Sequence, residues 1–256
     1  MFSKSNLCKG AHLLLTLSTY AFLYLPIIVL LVFSFNVGNF PSPWTEFSWK
    51  WYAELFDSPY LWLTFFNSCI VAISATTISL VLSTFLIFYA AQGGRIRRCL
   101  VLYYGNIVIP ETVLAIALLG FFTLASIPLG LVTLILAHTV LGLGFAVPIL
   151  YARFHELDKR MTEASLVLGA SPIQTFFKVT LPLLRPSLIA TGMLIFIISF
   201  DDFILAYFCT GSSSQTLSLY IMSMLRTGIS PVVNALSVVL LALSSAFCLI
   251  LDRKST

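Results

Sequence analysis

The chain has 256 residues, of which 59% are hydrophobic and 9% charged, with a formal net charge of +4. Its mean hydropathy is +1.00. Soluble domains carry charge on about a quarter of their residues, so a water-soluble globule is excluded and the chain reads as a polytopic helical membrane protein.

A helix crossing a hydrocarbon core about 30 Å thick needs about 20 apolar residues. Six segments qualify: His12–Phe35, Leu61–Ala91, Leu100–Leu124, Leu129–Ala152, Leu188–Phe208 and Pro231–Leu251. The first follows Lys4 and Lys9 as a signal peptide would. Its apolar run is too long for one, however, and it ends in "SFNVGNF" without a small-residue cleavage site. It reads as a retained span.

The third segment carries Glu111 directly after Pro110, and the proline removes a backbone donor that a continuous helix would use. The fourth carries His138, read as a neutral, hydrogen-bonded packing residue. It also holds Gly142, Gly144 and Pro148, the residue types of close helix approach or a kink. The fifth carries Asp201 and Asp202. A carboxylate at a helix centre costs about 2.5–3.5 kcal/mol on insertion scales, so such groups face a bundle interior or a watery path. More than one reading stays open for each acid. Glu111 is either a path residue or a protonated partner of a neighbouring helix. Asp201 and Asp202 either line a path, or simply cap a broken helix or lie near the outer headgroups. Adjacent helical residues point about 100° apart, so both aspartates reach one lumen only if it is wide.

The cations give the orientation. Lys4 and Lys9 precede the first span, and Arg95, Arg97 and Arg98 lie between the second and third. Arg153, Lys159, Arg160, Lys178 and Arg185 lie between the fourth and fifth, and Arg253 and Lys254 follow the sixth. Only Lys50 and Arg226 fall on the other side. The positive-inside rule then places both termini in the cytoplasm. Trp44, Trp49, Trp51 and Trp62 cluster at the first outer loop, a headgroup-level position that suits their amphipathic rings. Five scattered cysteines without a CxxC pair offer neither a disulfide framework nor a metal site.

The longest inner loop, Arg153 to Ser187, is expected to fold. Thr162 is placed as an N-cap with Glu163 in the first helical turn. Gly169 is a C-terminal stop, and Ser171 with Pro172 starts a second helix. That helix is expected to end near Thr180, before Pro182 and Pro186. The knuckle presents Ala164, Leu166, Val167, Leu168 and Ala170, either tucked against its own spans or docked into a partner.

"EASLVLGASPIQTFFKVTLP" (Glu163–Pro182) resembles the EAA motif, E-A-A-x3-G-x9-I-x-L-P, with Ser165 and Val179 as its two departures. That motif marks the membrane subunits of binding-protein-dependent ABC importers. "YLPIIVLLVFSFN" (Tyr24–Asn36), "SFDDF" (Ser199–Phe203), "TGSSSQTLSLYIMSML" (Thr210–Leu225) and "GISPVVNAL" (Gly228–Leu236) resemble the spermidine/putrescine permeases among them. The resemblance implies one all-α permease domain over 1–256, with six transmembrane helices and a cytoplasmic coupling loop between helices four and five. It assigns ATPase coupling to Glu163, Ala164, Ser165, Leu168, Gly169 and Ala170. It also implies a polyamine path at Glu111, Asp201 and Asp202. Polyamines are ammonium groups on methylene stems, so Phe200, Phe203 and Tyr207 would supply walls and cation–π faces.

The implied function is a non-catalytic permease subunit of the bacterial inner membrane, importing spermidine and putrescine. A permease for another cation, iron or thiamine is the alternative. The expected partners are a homologous second permease subunit, an ATP-binding cassette ATPase dimer and an extracytoplasmic solute-binding protein, with membrane lipid around the spans and no nucleic acid. The chain has no G-x-x-x-x-G-K-[ST] sequence, so ATP and Mg2+ are expected on the partner ATPase and no cofactor or metal on this chain. An intramembrane enzyme lacks support, with no H-E-x-x-H and no triad. A stand-alone channel or carrier would explain the buried acids but not the knuckle.

Overall fold

The computed structural model describes residues 4–38, 43–212, 214–227 and 231–255. The side chains of Cys8, Cys248, Lys4, Lys9, Arg97, Arg98, Arg253 and Lys254, and the stretch Gly228–Ser230, lie outside the described residues. The described chain is helical throughout, apart from one isolated antiparallel bridge between Asn36 and Phe47. In a medium without water, a helix is the one open segment that satisfies its own backbone.

The helices are α1 (Lys4–Phe33), α2 (Lys50–Phe56), α3 (Pro59–Ala91), α4 (Arg97–Val108), α5 (Glu111–Leu124) and α6 (Leu131–Glu156). They continue with α7 (Lys159–Val167), α8 (Pro172–Thr175), α9 (Leu181–Asp201), α10 (Ile204–Cys209), α11 (Leu217–Thr227) and α12 (Pro231–Ser255), with a π-helical turn over Phe176–Thr180 between α8 and α9.

Among the described residues, four stretches are long and apolar enough to cross a membrane: His12–Phe33, Pro59–Ala91, Leu131–Glu156 and Pro172–Asp201. The expected third span is not one helix but two, Cys99–Val108 and Glu111–Leu124, bent by 116° at the Ile109–Pro110 break. Counted as one crossing, the pair makes a fifth.

The chain divides into two compact units. The first comprises residues 1–61 and 221–256, and in it α12 packs on α1 and α2. Its loop between α1 and α2 is folded. The indole N–H of Trp51 donates to the Asn36 carbonyl at 2.6 Å, and the Asn36 side-chain oxygen accepts from the Thr45 N–H and hydroxyl. Phe35 stacks on Phe47 and Tyr52, with ring centroids 5.3 and 5.1 Å apart. This network buries Trp51, whereas Trp44 and Trp49 stay exposed, 47% and 61%.

The second unit, residues 62–220, carries every candidate site residue. One core joins Val71 of α3, Ala115 and Phe122 of α5, Leu134 and Ala137 of α6, and Leu205 and Cys209 of α10. A second joins Ile87, Leu150, Leu184 and Phe176 of the π turn. Close approach on α6 is bought with glycine, as its sequence implies. A Cβ on Gly142 would stand 2.5 Å from the Ser79 hydroxyl, and one on Gly144 2.6 Å from the Asn106 amide nitrogen.

The loop between α6 and α9 folds with two corrections. The cap of α7 is Asp158, whose carboxylate accepts from the Arg160 N–H at 3.0 Å, not Thr162. The helix therefore begins a turn earlier and Glu163 sits mid-helix, because a capping carboxylate was available upstream of Lys159. Nor do Pro182 and Pro186 end the second helix: both lie within α9. The π turn at Phe176–Thr180 accounts for Pro182, since a wider turn relieves the clash between its ring and the Lys178 carbonyl four residues earlier, while Pro186 lies further along α9. The remaining punctuation is as expected. Gly169 takes φ +87°, a conformation that favours glycine. Ser171 and Gln174 form a reciprocal capping box at 3.0 and 3.2 Å, with Pro172 first in the helix.

Candidate functional site: a broken helix, a buried aspartate and an exposed knuckle

Two helix breaks meet in the second unit. At the first, Pro110 ends α4 and Glu111 opens α5, an acidic first position that suits the positive end of a helix. Glu111 is half-buried and lines a cavity of about 340 Å3 together with Asn106, Ile109, Leu141, Phe145 and Ile198. At the second break, Asp202 leaves α9 in an extended conformation (φ −65°, ψ 128°). Its two carboxylate oxygens accept from the Ile204 and Ala206 N–H groups at 3.2 and 3.1 Å. Asp202 therefore caps α10, one of the readings open in the sequence.

Asp202 is held from three further sides. Its carbonyl accepts from the Ser218 hydroxyl at 2.6 Å. His138 of α6 turns Nε2 to within 3.6 Å of Oδ2, while its Nδ1 bonds the Ser199 hydroxyl at 3.0 Å. The Glu111 side chain lies near enough to the same carboxyl to interact with it electrostatically. Two acids converging in a low-dielectric interior make a focus of negative potential that a cation or a proton relieves.

The expected residues part company here. Asp202 is buried and Asp201, the last residue of α9, is exposed. The aromatics fall into two groups. Phe200 stacks on Phe196 at 5.8 Å and meets Phe65 edge-on at 6.0 Å, whereas Phe203 packs on Tyr207 at 5.6 Å. His138 is hydrogen-bonded, as expected, but its link to Asp202 and Ser199 was not foreseen, nor was Asn106. Ser199 stands three residues before Asp202, so the helical i, i+3 relation offered a signal for it. Asn106, a lone amide four residues before the proline of an apolar segment, was a fainter one.

The knuckle presents a separate surface. Val167 and Leu168 are 86% and 87% exposed, and Glu163 and Ala164 are exposed too. Within this chain the apolar tip is therefore not tucked against the spans. The Ser165 hydroxyl bonds that of Thr175 at 3.0 Å, pinning α7 to α8. The Ala170 N–H closes on the Ser165 carbonyl at 3.1 Å, satisfying the end of α7. Just beyond, Phe176 packs on Phe88 of α3 at 4.9 Å. The segment that follows the knuckle is thus packed directly on α3.

A bundle of apolar helices, broken beside a half-buried glutamate and a buried aspartate and bearing a capped helical knuckle, defines a membrane transport subunit. The sequence matches the family described as "Binding-protein-dependent transport system inner membrane component" over residues 11–254, and the chain belongs to that family. It is 34% identical over 229 residues to the spermidine/putrescine transport system permease protein PotC of Haemophilus influenzae, covering 89% of each chain. It is 37% identical to PotC of Escherichia coli, over 88% of this chain and 86% of that one. Identity to the putrescine transport system permease protein PotI of Escherichia coli is 29%, over 90% and 85%. A bacterial ABC transporter involved in the import of the acidic polysaccharide alginate shares the fold, with a TM-score of 0.71 at 15% identity and 98% coverage of both chains. The chain is a multi-pass membrane protein related to transport permease subunits.

Proposed function

We propose that this protein is one permease subunit of an ATP-driven importer of spermidine and putrescine in a bacterial inner membrane. The observation that carries the reading is the broken helix with Glu111 at its joint. Irregular backbone at membrane depth is tolerated only where protein buries it or a watery cavity is present. In carriers such breaks lie where the cargo binds. Glu111 and Asp202 supply negative potential for ammonium groups, and the apolar and aromatic walls suit methylene stems. Phe200, Phe203, Tyr207 and the exposed Asp201 extend that environment toward the outer side. Kinship with permeases named for spermidine and putrescine supports the same cargo.

In this reading the single domain crosses the membrane six times with both termini inside. The crossings are α1, α3, α4 with α5, α6, α9 with α10, and α12, which is 25 residues long. A homologous second permease subunit completes the pore, and an external binding protein delivers the substrate. ATP and Mg2+ bind on an ATPase dimer that receives the knuckle at Glu163–Ala170. Closure of that dimer moves the knuckle, and the spans alternate between outward and inward openings. Coupling requires that the knuckle bind the two ATPase states with different free energies.

Uptake of labelled putrescine and spermidine tests the reading, in cells lacking their own importers and expressing this chain with its cognate partners. ATP-dependent uptake that falls in Asp202→Asn supports it. Normal expression of the assembled complex without polyamine uptake would reassign the cargo to another small solute.

A further inference from the structure

At the π turn over Phe176–Thr180, two consecutive phenylalanines part ways. Phe176 is buried against Phe88 of α3, with ring centroids 4.9 Å apart, while Phe177 stays 55% exposed at 6.3 Å from the same ring. A groove of about 580 Å3 lies here between α3 and the start of α9, and its walls include Val81, Phe85, Phe88, Phe177, Leu181 and Leu188. The hydroxyl of Thr84, also on the wall, is committed to the Leu80 carbonyl at 2.7 Å. An occupant meets apolar surface and no free hydroxyl donor, which suits a hydrocarbon chain.

The rim of the groove is cationic. Leu181, Arg185 and Leu188 follow i, i+4, i+7 spacing and share one face of α9. Lys178 comes directly after Phe177. Both cations are exposed, and among the described residues neither enters an ion pair. Cα–Cβ bonds of a helix tilt toward its N-terminus, so that of Arg185 points toward the Lys178 end of the groove. Long basic side chains lay their stems along apolar surface and hold their heads at its polar edge.

The level in the membrane fits as well. With 33 residues, α3 is about 50 Å long, against a hydrocarbon core of about 30 Å. Its last turns, which form the groove, therefore reach the depth where acyl chains meet headgroups. Two unpaired cations above an apolar slot complement an anionic phospholipid. The α1 helix of a second copy is a poorer occupant, since Lys4–Phe33 contains no acidic residue to meet them.

We propose that the α3–α9 groove seats one anionic phospholipid from the leaflet on the knuckle's side. Its phosphate lies between Lys178 and Arg185, and one acyl chain runs along Phe85, Phe88 and Phe177. The lipid then packs between α3 and the segment that follows the knuckle, so membrane charge bears on how that segment is seated.

The test titrates the delipidated full-length chain, with its co-purifying partners, with phosphatidylglycerol and with phosphatidylcholine of the same chains. Native mass spectrometry counts the bound lipid. A basic residue near the membrane surface is worth about fivefold in affinity for an anionic lipid, so the two together predict a preference of about twenty-five-fold for phosphatidylglycerol. Lys178→Gln and Arg185→Gln should each remove about fivefold, and the double variant most of the preference. Both replace exposed side chains, so the fold should persist. Phosphatidylglycerol with a photoactivatable diazirine near the end of one acyl chain should label the groove, and Val81→Trp, which fills it, should reduce that label selectively. Equal affinity for the two lipids in the wild type would overturn the proposal, as would an undiminished preference in the double variant. Labelling of the groove in the chain alone that vanishes in the assembled complex would also overturn it, and would give the groove to a helix of a partner subunit.

Discussion

His138 Nε2 stands 3.6 Å from the Oδ2 of Asp202, and both side chains are buried to within a few per cent of full enclosure. The imidazole is anchored at its other nitrogen by Ser199, so α6 and the end of α9 are joined through a polar bridge inside an apolar core. Nε2 has no hydrogen-bond partner within 3.5 Å, so it serves the aspartate as a near donor rather than a bonded one.

A hydrophobic replacement at this position is expected to be costly. His138→Leu removes the partner of the Ser199 hydroxyl and leaves Asp202 without its imidazole neighbour. An orphaned buried polar group costs about 1–3 kcal/mol, so thermal unfolding in detergent should shift downward. His138→Asn, which keeps an acceptor near Ser199, should shift it less. Equal melting of the two variants would remove the bridge from the stability of the bundle.

The neighbouring aspartates should separate cleanly. Asp202→Ala strips the cap from α10 and is expected to cost about 0.5–2 kcal/mol of stability. Asp201→Ala changes an exposed side chain and should stay within about 0.5 kcal/mol. Parallel melts of the two variants check this, and a larger loss at Asp201 would contradict the assignment of the cap.

At the knuckle, Gly169→Val places a β-branched residue at φ +87°. The left-handed conformation costs an ordinary residue about 1–2 kcal/mol, so the turn between α7 and α8 should reopen. Membrane insertion is expected to persist while co-purification of the ATPase is lost. Leu168→Glu should have the same consequence by a different route, placing a charge on an exposed apolar tip without disturbing the turn. Pull-down of the ATPase measures both, and retention by both variants would mean that the knuckle is not the docking surface.

Gly144→Val tests the seating of α4. The new side chain must occupy the space of the Asn106 amide, 2.6 Å from where its Cβ would lie. Overpacking of this kind costs about 1–3 kcal/mol. Uptake per assembled complex should fall, and Asn106→Ala, which vacates the space, should partly restore it in the double variant. Additive losses would show that the two residues act independently.

Composition was enough to specify a helical membrane protein, because burial in lipid is a property of residue type. Local punctuation was equally legible where one residue imposes it: Pro110 opened a helix, Gly169 took the left-handed turn, and Ser171 with Pro172 started α8. Punctuation failed where two signals competed. Asp158 rather than Thr162 became the cap, and the π turn carried the helix through Pro182. No residue pattern announces that turn, since it depends on Phe176 finding its place against Phe88 and the core around Leu150. The acids were visible as an expense that needed a reason, but their division of labour was not. Only the packing of α5, α6, α9 and α10 brought Glu111 to Asp202, turned His138 and Ser199 onto the same carboxyl, and left Asp201 outside. Sequence determines which polar groups a membrane helix must carry; which of them find partners depends on contacts between residues about 60 to 90 positions apart, made when the helices pack.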